Sequence, residues 1–93
     1  MTKVKNVHGT GGRKPKDAST WIEYWEKHKG KREYTCSACR CLSLRLCGAH
    51  VKKCLSSREQ SWYIVPLCPA CNQRTDEFFV EAGLLVPVCL ETH

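Results

Sequence analysis

The sequence predicts a small α+β domain closed around one structural metal ion. Three observations lead there. Two Cys-x-x-Cys pairs, Cys36/Cys39 and Cys68/Cys71, lie far apart in the chain; a short amphipathic helix precedes them; and two strand-like apolar runs fall between them. Each pair places two sulfurs on one tight turn, so the four thiolates suit a tetrahedral zinc ion with Zn–S bonds of about 2.3 Å. A chain of 93 residues buries little core of its own. A metal cross-link between distant segments would therefore supply much of its folding free energy.

The elements follow in chain order. Residues 1–16 are polar and basic, with the Gly cluster Gly9, Gly11 and Gly12 and the run Arg13-Lys14-Pro15-Lys16, and they predict a flexible arm. The Gly cluster lacks the preceding strand and following Lys-Ser/Thr of a phosphate-binding loop. A helix is expected at about 19–29, opened by Thr20-Trp21-Ile22-Glu23 at capping-box spacing and closed by Gly30. Trp21, Ile22 and Trp25 share one of its faces, as a docking surface against the metal module. A strand is expected at 42–46, where Leu42, Leu44 and Leu46 alternate with Ser43 and Arg45, then a polar loop over 52–61 and a second strand at 62–66. Pro69 suits the first turn of a helix running on from Asn72, and 78–80 and 84–86 read as short strands or a helix end and a strand.

Eight cysteines in so short a chain would also fit a secreted disulfide scaffold. The repeated two-residue gap and the absence of an apolar run near Met1 favour metal thiolates in a reducing, cytoplasmic compartment. Cys41, Cys47, Cys54 and Cys89 have no two-residue spacing among themselves and are expected as small core residues. No segment approaches the apolar length of a membrane span. The formal charge is +6, and residues 1–34 hold nine Lys/Arg against four Asp/Glu, or +5. A cationic arm of this kind gives sequence-independent phosphate affinity, with Arg13, Lys14 and Lys16 as its contacts, or serves solubility alone.

Knuckle, hairpin and a helix opening on the second Cys pair is the order of a treble-clef zinc finger. Within it, Gly48-Ala49-His50-Val51 and Ile64-Val65-Pro66-Leu67-Cys68-Pro69-Ala70-Cys71-Asn72 resemble the HNH endonuclease superfamily, over about two-fifths of the chain. The resemblance implies a domain over 17–93 whose metal module spans about 35–78. It implies His50 as general base and Asn72 as its partner at a second divalent cation, with nucleic acid, DNA before RNA, as substrate. The sequence departs from the family twice: Ala49 stands where an acidic residue is usual, and the middle asparagine, due near Tyr63, is missing. Asp76 and Glu77 are the nearest carboxylates, with Asp76 on the face of Asn72 if the helix continues. His50 is also readable as a structural residue, the reading preferred from the sequence, or as a ligand, with Cys47 and Cys54, of another metal.

The function expected is thus a zinc-binding, HNH-like nucleic-acid-binding domain with absent or weakened nuclease activity. The alternatives are an active metal-dependent endonuclease and a protein-interaction adaptor docking through the tryptophan helix. An adaptor would leave Trp21 and Trp25 uncovered.

Overall fold

The computed structural model describes residues 1–7, 18, 20–54 and 62–88. Its elements are β1 (Thr2–Asn6), α1 (Trp21–Lys29), β2 (Cys47–Lys53), β3 (Trp62–Leu67), α2 (Pro69–Asn72), β4 (Glu77–Val80) and β5 (Val86–Pro87), with a 3-10 turn at Ala82–Leu84. The five strands form one sheet in the order β4-β1-β2-β3-β5, antiparallel throughout.

The small α+β class holds, but the arm expected over 1–16 does not hold at its start. Thr2–Asn6 is a strand inside the sheet, paired with β2 through Val4↔Lys53 and with β4 through Val4↔Phe78. Period-two alternation explains it: Val4 and Asn6 point into the protein while Lys3 and Lys5 face water. Arg13, Lys14 and Lys16 lie outside the described residues.

The expected helix is present. The Thr20 hydroxyl accepts the Glu23 N–H at 3.2 Å, and Gly30, at φ 69°, ends α1 with its N–H on the Glu26 carbonyl at 2.8 Å. Its buried face is Tyr24 and Trp25, whereas Ile22 is only half-buried. Trp25 is fully buried and donates its indole N–H to the Leu84 carbonyl at 2.7 Å; the Tyr24 hydroxyl donates to the Pro87 carbonyl at 3.0 Å. The two bonds fasten α1 to the segment carrying β5, and they satisfy the polar tips of two buried aromatics.

The first hairpin strand is β2, not residues 42–46. Leu42 and Leu44 are 82% and 94% exposed, and Leu42 makes only an isolated bridge to Thr35. The loop expected over 52–61 begins later, since Lys52 and Lys53 belong to β2. Likewise the helix expected beyond Asn72 stops there; Asp76 follows it in a bend and Glu77 opens β4.

Each face of the sheet has its own cluster. Val4, Ala49, Val51, Val65, Leu67, Phe78 and Val80 gather on one face with Cys36, Cys71 and Leu85. On the other, Ile64 and Val86 pack against Tyr24 and Trp25 of α1. The helix comes so close to β2 that a Cβ on Gly48 would lie 2.4 Å from the Ile22 nitrogen and the Trp21 carbonyl carbon. Both are backbone atoms, so no rotamer change relieves the clash. Gly48→Ala should therefore destabilise the fold by about 1–3 kcal/mol or more, the range for overpacking. Gly83→Ala, where a Cβ meets nothing within 4 Å, should be close to neutral. Chemical denaturation of the two variants checks the contrast, and equal stabilities would refute the close approach.

Candidate metal centre

The first Cys pair sits on a small knuckle. Its arms are joined by the Thr35–Leu42 bridge and by the Ser43 N–H on the Tyr34 carbonyl at 2.9 Å. Within it, the Cys36 N–H reaches the Cys41 carbonyl at 2.9 Å, and the Arg40 N–H reaches the Cys36 carbonyl at 3.0 Å. Closing so tight a turn puts Arg40 at φ 67°, a left-handed conformation that favours glycine. The knuckle is held to β3 by the Ser37 N–H on the Pro66 carbonyl at 2.9 Å.

The second pair opens α2. Cys68 is its N-cap, Pro69 takes the first helical position as expected, and the Asn72 N–H returns to the Cys68 carbonyl at 2.9 Å. The end of this short helix is secured from β1: the Asn6 amide donates to the Cys71 and Arg74 carbonyls at 3.0 Å each. The Cys71 carbonyl also takes the Arg74 N–H at 3.1 Å, so Asn6 pins both ends of the turn that closes α2. Nothing in the sequence pattern singles Asn6 out.

These elements bring Cys36, Cys39, Cys68 and Cys71 together, with all four sulfurs within 4.8 Å of one another. Cys39 Sγ and Cys68 Sγ are 3.8 Å apart, which matches the edge of a tetrahedron with metal–sulfur bonds of about 2.3 Å, namely about 3.8 Å. Cys36 and Cys71 are buried and Cys39 is exposed. The donor set is therefore compatible with one tetrahedral ion such as zinc. Burial pushes the Cys36 thiol up, but the N–H groups of Cys39, Cys68 and Ala38 outweigh it and lower the pKa to about 7. Burial also pushes Cys71 up, and hydrogen bonds with the Cys68, Cys36 and Cys39 thiols add to it, reaching about 12. One sulfur is thus partly ionised at neutral pH while another holds its proton until metal displaces it.

The other candidate residues are placed differently. His50 lies in the middle of β2 with its ring 4.5 Å from Trp21 and 5.9 Å from Trp62, edge-on to both, and is only 7% exposed. Its strand neighbours Ala49 and Val51 point to the opposite face, where Cys71 of α2 packs with them. The sheet thus puts His50 on the helix side, while α2, which bears Asn72, joins the metal side through Cys71. Asp76 forks onto Arg74 at 2.6 and 2.9 Å, and Glu77 lies 3.8 Å from Lys3. Cys41 is exposed and Cys47 and Cys54 are half-buried, so these three are not the core residues expected; Cys89 lies outside the described residues. Among the described residues, the four-cysteine cluster is the one group of three or more His, Cys, Asp or Glu side chains arranged to hold a metal.

Comparison of the chain with protein-family models, curated proteins and solved structures finds no match.

Two outcomes follow from the geometry. Protein purified without added metal should contain about one equivalent of metal per chain, and reloading the metal-free form with zinc should release protons. Because Cys36 titrates near 7 and Cys71 far above it, affinity should fall steadily as pH drops from 8 to 6; competition with a chromophoric chelator measures this, and a pH-independent affinity would refute thiolate ligation. Separately, Arg40→Gly should stabilise the fold by up to about 1 kcal/mol by removing left-handed strain. The substitution also removes the Arg40–Glu81 ion pair, but at 3.4 Å between half-exposed groups that pair is too weak to offset much of the gain. Thermal denaturation of the metal-loaded variant reads the difference, and a lowered midpoint would show that the turn carries no such strain.

Proposed function

We propose that this chain is a zinc-stabilised nucleic-acid-binding domain of treble-clef, HNH-like type in which nuclease chemistry is absent or weakened. The observation that carries the binding half is charge: +6 overall and +5 within residues 1–34, with Lys3, Lys5, Lys27 and Lys31 exposed. A surplus of this size favours phosphate backbones and raises association rates with them. The order of knuckle, β2–β3 hairpin and short helix, with four thiolates converging between them, supports the treble-clef reading. When bound, zinc would cross-link the knuckle to α2 and serve folding rather than chemistry.

The placement of His50 supports the non-catalytic half. A general base must reach a water beside the scissile phosphate, and this imidazole is buried against two tryptophans. Asp76 and Glu77 are engaged by Arg74 and Lys3, so neither adds a ready oxygen ligand beside Asn72 for a divalent cation. The adaptor alternative loses its motivation too, because Trp25 is buried inside the protein and Trp21 packs on His50 and Tyr24. No helix is long and apolar enough to cross a membrane.

The test is fluorescence anisotropy with labelled DNA and RNA at rising salt, on the full metal-loaded chain. Truncating residues 1–16 would remove β1, so the arm is probed by Arg13→Gln/Lys14→Gln/Lys16→Gln. If all three residues contact phosphates, log K against log salt on duplex DNA should flatten by about 2.7, from about 0.9 per contact. Plasmid nicking with magnesium or manganese should be undetectable in both the wild type and His50→Ala. Absence of binding to DNA and RNA at low salt would defeat the proposal, and nicking lost in His50→Ala would establish the endonuclease alternative.

A further inference from the structure

α1 covers only part of its face of the sheet: it rests on β2, β3 and β5. The same face continues across the far end of β2 and over β1 and β4, where the register places one side chain after another. Glu77 pairs with Lys5, Lys5 with Lys52, and Lys52 with Trp62, so these four form one row across four strands. Beside it Lys3 pairs with Phe79. By strand alternation all six point away from the metal-side cluster, since Val4, Phe78, Val80 and Val51 point into it. Lys3, Lys5, Lys52, Glu77 and Phe79 are exposed, Phe79 by 51%, and Trp62 is half-buried.

The chemistry of this surface is specific. Three lysines and one carboxylate leave it at +2. Like charges directly opposite each other in a sheet are destabilising, yet Lys5 faces Lys52, and among the described residues neither has a carboxylate within 4.0 Å. A bound anion would relieve that repulsion. Phe79 and Trp62 flank the lysines from β4 and β3, separated across the sheet by three strand spacings, about 14 Å, and offset along it by two residues. Lys3 keeps its ammonium 5.8 Å from the Phe79 ring centroid, so charge and aromatic surface meet at one point. Flat aromatic surface interleaved with lysines suits unpaired bases, whose faces stack while their phosphates reach cations. The bases of a duplex are already stacked on each other and would leave Phe79 without a partner.

We propose that this open half of the sheet, Lys3, Lys5, Lys52, Phe79 and Trp62, is a binding platform for single-stranded nucleic acid. The proposal deepens the nucleic-acid-binding reading above and rests on it.

The experiment uses the full metal-loaded chain with labelled oligo-dT, oligo-rU and a short DNA duplex. Phe79→Ala should weaken single-strand binding by about tenfold, within the range for losing one stacked base, and leave duplex binding unchanged. Lys5→Gln/Lys52→Gln should lower the salt slope on single strands by about 1.4, from about 0.7 per phosphate contact. Arg45→Gln, an exposed charge before the Cys47 end of β2 and so at the opposite end of that strand from Lys52, should not change the slope. The substituted side chains are exposed, and metal content with circular dichroism verifies that each variant folds. If the wild type binds but both platform variants retain its affinity and slope, the platform is wrong and the nucleic-acid reading survives. Binding of duplex alone also overturns the platform. If the wild type binds no nucleic acid at all, the platform falls together with the reading beneath it.

Discussion

The arrangement of this molecule depends on one backbone contact, the seating of the first turn of α1 against Gly48. Any side chain at that position would hold helix and sheet apart, because the nearest atoms are the Trp21 and Ile22 main chain. With the helix seated there, Trp21 falls on His50, and Tyr24 and Trp25 reach the carbonyls of Pro87 and Leu84. The same face bears Lys3, Lys5, Glu77 and Phe79 of β1 and β4, which remain exposed. A glycine in a strand interior normally weakens it. Here the loss is offset by the aromatic surface that close packing removes from water.

The opposite face carries the four-cysteine cluster instead. Its cluster is made of aliphatic residues and Phe78 together with Cys36 and Cys71, so the candidate metal centre is continuous with the apolar core. A metal bound there would add to the limited burial that a small chain achieves. The knuckle and α2 are individually too short to persist alone, α2 having four residues. They are positioned by hydrogen bonds from outside themselves: Ser37 to Pro66, and Asn6 to Cys71 and Arg74. The ligand geometry is thus built by β1 and β3 as much as by the cysteine spacing.

What was legible in the sequence follows from how local the signal was. The Cys pairs, the Thr20 and Gly30 caps, the 62–66 strand and Pro69 at a helix start are encoded within a few residues, and the structure places each as expected. Strand β2 was missed because its helix-facing positions are Gly48, His50 and Lys52, a set that resembles a turn. The alternating leucines of 42–46 supplied a false strand signal: Leu42 and Leu44 are exposed, and only Leu46 packs against the core. Strand β1 was hidden by its two lysines and the Gly-rich sequence after it. Tyr24 was passed over for Ile22 because helical phase alone does not say where the sheet lies. Asn6 acts on residues 65 and 68 positions away, and no local pattern reports a partner that distant.

The placement of β1 has a consequence for how the chain is made. β1 precedes both of its partners in sequence and sits between β2 and β4, pairing with the last residues of β2 and with a strand that begins at Glu77. During synthesis Thr2–Asn6 must wait, unpaired, until β2 and then β4 have emerged. Pairing across such sequence separation is slow because the loop must close before any pairing rewards it. A metal held by the two Cys pairs would shorten that search, since it could bind once Cys71 has left the ribosome and before β4 exists. The nascent chain would then close its hairpin first and recruit β1 afterwards.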